Sequence, residues 1–327
     1  MSFNYHIYGL NIRSSRQIDL LVEKTNSIVD LSVIWLTDTS FSPMPDLIWE
    51  QINGKELNNR KLISFFSAET AEGLLYKVCF KNETGEMSLL LGPDKKNLWL
   101  IYDKMELDSN LDSYFVGVIM GCVLRLRGII CLHASVVNIE GKAVLFLGQK
   151  RSGKSTTAAA FAKLGFKVLS DDIAVTTYLN NEFYIQPGYT KIRLRPKSLA
   201  AIHSSVIDNF PSVFSHRDSR YVNIEENFQD EILPVKAVYL LSEASEINAK
   251  PYIEPVLGES IIRLHENIFA SYIITPNIRR KEFEILSLLA LHTPIRRLRF
   301  GNNVELVNLQ CQAVIKDIAQ LNNSNHD

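Results

Sequence analysis

Cysteine is scarce: Cys79, Cys122, Cys131 and Cys311 are the four in 327 residues. None forms a Cys-x-x-Cys pair, and no Cys/His cluster has zinc-finger spacing. That excludes a secreted disulfide framework, and four free, buried thiols fit a reducing cytoplasm. Charge of one sign is also missing. Lys plus Arg is 35 and Asp plus Glu is 36, a formal net charge of −1. Such a chain has no global field to draw it to nucleic acid or to an anionic membrane. Long apolar runs are absent too. The strongest, Tyr114 to Leu132, is broken by Arg125 and Arg127, leaving about half the length a membrane span needs. Met1 to Asn11 has no basic start followed by an apolar stretch, so no signal peptide is read. No internal repeat or low-complexity tract occurs. What remains is ordinary globular composition, 46% hydrophobic and 22% charged, at a length for two domains or one large one.

The first 110 residues read as short strands and turns. Tyr5 to Ile12, Ser32 to Leu36 and Leu98 to Tyr102 are apolar runs rich in β-branched and aromatic residues. Leu74 to Phe80 and Met87 to Leu91 flank Asn82-Glu83-Thr84-Gly85, a hairpin signal. Leu111 to Leu126 is a helical pattern, with caps at Ser109 or Asn110 and Gly128 past its end. The organisation expected is a smaller α+β region over 1–110, which could dock substrate, followed by an α/β domain over 111–327. In the second part, Cys131 to Ile139, Lys142 to Leu147, Lys167 to Ser170 and Ile173 to Leu179 are strand-like. Lys154 to Leu164, Pro196 to His203, Lys281 to His292 and Gln310 to Leu321 are helical.

The most specific signal is Gly148-Gln149-Lys150-Arg151-Ser152-Gly153-Lys154-Ser155, which matches G-x-x-x-x-G-K-[ST] at every fixed position. Its glycines let the backbone curl so that successive N–H groups face phosphate oxygens. Lys154 reaches the β- and γ-phosphates and the Ser155 hydroxyl is placed for Mg²⁺. The helix that follows, which includes Thr156, aims its positive end at the same anion. The apolar strand before the loop supplies the strand–loop–helix context.

Asp171-Asp172 closes the strand that comes one helix later. Such a strand can run beside the loop strand and bring its end to the γ-phosphate. Adjacent carboxylates on a strand point to opposite faces, so one can hold Mg²⁺ and the other can take a proton from an attacking hydroxyl. Two acids favour transfer to an acceptor over hydrolysis. His133, in Leu132-His133-Ala134-Ser135, starts the strand before the loop strand. By itself it reads as a structural histidine.

Together, Leu132 to Ser135, Gly148 to Ser155 and Leu169-Ser170-Asp171-Asp172 resemble the catalytic domain of HPr kinase/phosphorylase in order and spacing. Gln186-Pro187-Gly188-Tyr189 and Lys191-Ile192-Arg193-Leu194-Arg195-Pro196 look like a divergent, shorter branch of that family. Some members of the branch phosphorylate a serine of ribosomally made precursor peptides, including lasso peptides. The resemblance implies a phosphoenolpyruvate-carboxykinase-like P-loop fold with a mixed sheet, and ATP and Mg²⁺ as cofactors. It implies Asp171 as the catalytic carboxylate, Asp172 as its metal-associated partner, and His133 beside the transferring phosphate, orienting that carboxylate. Where the family carries an acid before Ile-Arg-Gly, this chain has Lys191 before Ile192-Arg193-Leu194. Arg193 or Arg195 could contact nucleotide or substrate phosphate.

Arg279-Arg280-Lys281, Arg296-Arg297-x-Arg299, Arg217 and Arg220 are further basic positions, read as solvated faces or as a peptide-binding lining. Asn209 to Asn227, with Phe210, Phe214 and Tyr221, reads as a loop that closes over substrate. The expectation is an ATP- and Mg²⁺-dependent serine kinase in the cytoplasm, acting on a peptide or protein, with no nucleic-acid or membrane partner. A small hydroxyl metabolite as acceptor and a non-catalytic nucleotide-binding regulator stay open, as does the oligomeric state, a homo-oligomer included.

Overall fold

The structure, a computed structural model, describes all residues except 26–27, 38–46, 58–60, 83–84, 104–110, 203–211, 215–216, 245, 302 and 324–327. The chain forms two compact units: Met1–Ile129 with Ala270–Lys281, and Ile130–Phe269 with Glu282–Asp327. The dividing point therefore differs from the one expected after residue 110. The helical stretch that begins at Leu111 goes with the first unit because its side chains are anchored there. Tyr8 Oη donates to Val116 O (3.0 Å) and Arg16 pairs with Asp112 (2.6 Å).

The first unit is built on one eight-stranded sheet. Its strands are β1 (Phe3–Ile7), β2 (Leu10–Ser14), β3 (Leu31–Leu36), β4 (Glu50–Leu57), β5 (Lys61–Thr70), β6 (Gly73–Asn82), β7 (Gly85–Leu91) and β8 (Asn97–Tyr102), in the order β1-β2-β3-β8-β7-β6-β5-β4. The run Tyr5 to Ile12 is two strands, not one. Tyr8 and Gly9 both take positive φ (57° and 76°), the geometry of a tight hairpin turn. The β6–β7 pairing falls as expected, and Glu83 and Thr84 of its turn lie outside the described residues, as do Ser109 and Asn110. Helix α1 (Leu111–Tyr114) passes through a π-helical turn, Phe115–Ile119, into α2 (Met120–Leu126), and Gly128 ends the run at φ 75°.

The second unit is a mixed α/β layer structure. Strands β9 (Cys131–Leu132), β10 (Ala134–Ile139) and β11 (Lys142–Leu147) lead into helix α3 (Lys154–Lys163). Then come β12 (Val168–Ser170), β13 (Ala174–Leu179), β14 (Glu182–Gln186), β15 (Lys191–Leu194), helix α4 (Pro196–Ile202), β16 (Ser212–Phe214), β17 (Arg217–Asn223) and β18 (Leu233–Glu243). The chain ends with β19 (Tyr252–Pro255), α5 (Ser260–His265), α6 (Pro276–His292), β20 (Ile295–Phe300) and α7 (Val307–Asn323). The main sheet runs β12-β10-β11-β18-β14-β13-β9, with β20 on β18 and β19 on β20, while β15-β17-β16 form a separate small sheet.

The strand after α3 does not lie directly beside the loop strand. β10 sits between them, antiparallel to both. Consequently β12 and β11 point the same way, and β18 and β20 are parallel to β11. The carboxyl ends of all four meet one edge of the sheet. Apolar residues fill both faces of β11, where Ala143 to Leu147 are all fully buried. Phe146 packs with Phe161 of α3, Tyr239 and Val314 of α7 on one face; Leu145 and Leu147 pack with Leu169, Leu286 and Leu289 on the other. A strand covered on both faces must be apolar throughout, so β11 shows no alternation in sequence. Among the described residues no helix is long and apolar enough to cross a membrane.

Candidate active site

The loop Gly148 to Gly153 leaves the end of β11 and turns into α3. Its curl needs positive φ at three positions: Gly148 (153°), Arg151 (76°) and Gly153 (96°). Gly148 is also sterically required, because a Cβ there would lie 2.6 Å from Ser152 Oγ and 3.1 Å from Leu241 O. Lys154 is buried, and its ammonium donates back to Gly148 O (2.7 Å) and Gln149 O (3.2 Å). Burial pulls its pKa down, against the opposing pull of Asp172 and Asp171. The Ser152 hydroxyl is buried without a hydrogen-bond partner among the described residues. A curled backbone, a cation on its carbonyls and an orphaned hydroxyl fit a phosphate chain. Thr156 turns its hydroxyl the other way, to Ser198 of α4 (2.8 Å), so only its backbone can serve the loop.

Asp171 and Asp172 follow β12 in a turn, where Asp172 takes φ 71°. This left-handed residue sends the two carboxylates to different partners. Asp171 is 3% exposed. Ser135 Oγ donates to its Oδ1 (2.5 Å) and the Arg193 N–H to its Oδ2 (3.2 Å), with the Ser155 hydroxyl near enough to favour its charge. Burial and the neighbouring Asp172 charge raise its pKa above the ordinary carboxylate value, and Ser135, the Arg193 N–H and Ser155 only partly offset this. Asp172 is opposite in character. Burial opposes its ionisation, but the Arg193 guanidinium at 2.6 Å and His133 at 3.7 Å outweigh it and hold the group at about 2. One acid is thus set up to accept a proton, and the other to stay charged.

No family model matches this chain, and no curated protein does. Among solved structures it is similar to one described as the Hpr(Ser) kinase/phosphatase from Coxiella burnetii. That likeness has 13% identity, covers 59% of this chain and 98% of that chain, and has a TM-score of 0.32. At that score it decides nothing about fold or chemistry.

His133 interrupts the expected strand Cys131 to Ile139. β9 pairs with β13, β10 pairs with β11 and β12, and His133 is the residue at which the chain changes partners. Its ring stands edge-on to Phe269 and faces Asp172, not Asp171 as the resemblance implied. Arg193 joins the site through Asp172, whereas Arg195 lies exposed beyond the end of β15. Gln149, Lys150 and Arg151 are the exposed tip of the loop. The cationic run on β20 does not line the cleft as a free surface. Arg296 pairs with Asp317, Arg297 with Glu259 and Glu254, and Arg299 with Glu254. The expected closing loop is in part the strand β17, on which Tyr221 is buried; Phe210 lies outside the described residues. Cys122, Cys131 and Cys311 are buried thiols, and Cys79 is half-buried.

Two contributors have no role assigned from the sequence, although Ser135 lies within the Leu132 to Ser135 run. Ser135, two residues beyond His133, supplies the shortest bond to Asp171. Asn267 lies 119 positions from Gly148, too far for any spacing argument. Its Oδ1 accepts the Gly148 N–H (2.9 Å), its backbone oxygen accepts the His133 N–H (2.6 Å), and its Nδ2 donates to Arg263 O (2.8 Å). Asn267→Ala leaves the Gly148 N–H without its acceptor and should cost about 1–3 kcal/mol of stability in urea titration. Asn267→Asp keeps an acceptor and should recover part of that loss.

Proposed function

We propose that this protein is a nucleotide-dependent phosphotransferase that moves the γ-phosphate of ATP to a hydroxyl, with a serine of a peptide or protein as the acceptor. One observation carries the reading. The buried Asp171 carboxylate, with its raised pKa, is held by Ser135 and the Arg193 N–H beside Ser155, in the first turn of the loop helix, whose hydroxyl is near enough to act on it. A proton acceptor thereby stands where a transferring phosphate would end. On this reading the loop amides and Lys154 bind the phosphates, Asp171 takes the acceptor proton, and Ser135 and the Arg193 N–H fix the direction of its lone pairs. Magnesium would be held by Ser155 and Asp172 and would supply charge neutralisation at the phosphates. Arg193 and His133 keep Asp172 ionised for that role. A lasso-type precursor is one acceptor of the right class, in keeping with the resemblance of the motifs.

The test is phosphate incorporation from labelled ATP, offered a serine-containing peptide panel and, separately, small hydroxyl metabolites including free serine. Labelled peptide supports the reading; label only in a small acceptor moves the substrate class; tight ATP binding with no transfer to anything removes the enzyme assignment. The pH profile gives a second check. Asp171 must be ionised to accept a proton, so kcat should fall as pH falls. Because its pKa is raised, the half-point should lie above the ordinary aspartate value of about 3.9.

A further inference from the structure

At the sheet edge that carries the phosphate loop, the order β12-β10-β11-β18-β20 puts the acid pair on one flank of the loop. On the other flank stands the end of β20. Each flank is two strand spacings from β11, about 10 Å. A nucleotide whose terminal phosphate points at Asp171 has its base on the β20 side. Phe300 is already close to the loop there: a Cβ on Gly153 would lie 3.9 Å from its ring.

That flank is built and fixed. The turn after β18 wraps the end of β20, with Ala244 N–H donating to Phe300 O (2.7 Å) and Gly301 N–H to Ala249 O (3.2 Å). The packing is so close that a Cβ on Gly301 would fall 2.0 Å from Ile247 O. On this turn Ile247 presents its apolar side chain to solvent, 69% exposed. Beside it, Asn303 Nδ2 donates to Asn248 Oδ1 (3.0 Å). The Asn303 oxygen is committed elsewhere, since it caps the short 3₁₀ turn by accepting the Glu305 N–H (3.1 Å). The pair's remaining capacity includes one donor, the second Asn303 Nδ2 hydrogen, and one acceptor, the second lone pair of Asn248 Oδ1, with the Asn248 Nδ2 hydrogens as further donors. Adenine presents the complement, an acceptor N7 next to the N6 amino donor.

We propose that Asn248 and Asn303, with the exposed Ile247 of the same turn as an apolar wall, form the adenine subsite of the nucleotide. This rests on the phosphate-loop reading, and its test separates the two. ADP and inorganic pyrophosphate are titrated calorimetrically into the full chain and into two neutral variants. Asn248→Ala removes the acceptor. Asn303→Ser removes the donor and keeps an oxygen that can cap. The expected result is a roughly tenfold loss of ADP affinity in each variant with pyrophosphate affinity unchanged. ADP affinity unchanged in both variants, or an equal loss for both probes, overturns the subsite and leaves the loop reading intact. If neither probe binds the wild-type chain, the loop reading fails and the subsite falls with it.

Discussion

Asp171→Asn should lower kcat for phosphate transfer by roughly 10²–10⁴-fold, the range a positioned general base contributes. The substitution is almost isosteric. The amide oxygen can keep the Arg193 N–H while the amide nitrogen donates to the Ser135 hydroxyl, which can rotate to accept, so the turn after β12 need not rearrange. What is lost is the capacity to take a proton, and with it the acid limb of the pH profile. ADP affinity should change little, because the loop amides and Lys154 are untouched. Stopped assays with labelled ATP measure the first effect and calorimetry the second. Transfer at wild-type rate in this variant would mean that the proton leaves by another route, and Asp171 would lose its assigned role.

Lys154→Met should reduce kcat/KM by roughly 10²–10³-fold, the scale of losing one preorganised group that stabilises developing charge. Methionine conserves the buried stem, so the loss falls on the ammonium. That group serves the loop twice, bracing Gly148 O and Gln149 O in the resting chain and, on the proposed reading, meeting phosphate oxygens in the complex. ADP affinity should therefore fall together with turnover, unlike the Asp171 variant. A thermal melt close to that of the wild type would show that the change lies in the loop and not in the fold. A variant with full activity would remove the lysine from the chemistry.

The parts of the site legible in sequence are those whose chemistry is local. The loop Gly148 to Ser155 is legible because its two glycines and its lysine lie within eight consecutive residues, although the left-handed Arg151 carries no such mark. Asp171 and Asp172 are legible as a pair that divides its labour, but the residue that sets them apart is not. That division comes from Arg193, whose backbone and side chain serve different acids from a separate small sheet. The strand β18, central to the sheet, carries no sequence signal of its own. Its residues Ala237 to Leu241 are apolar on both faces and carry no periodicity to distinguish strand from helix. β20 was hidden for the opposite reason: three arginines obscure its buried Ile295, Leu298 and Phe300, and their neutralising partners come from β19, α7 and the residue before α5. Asn267 joins the loop to His133 through a contact that only the tertiary structure creates.

The internal tether of Lys154 has a bearing on timing. A cation already satisfied by two carbonyls exchanges partners when a ligand arrives, so the net gain in binding is only the difference between the two sets of bonds. On the proposed reading, such a cradle keeps its shape between visits yet grips with moderation, so a spent nucleotide should depart quickly.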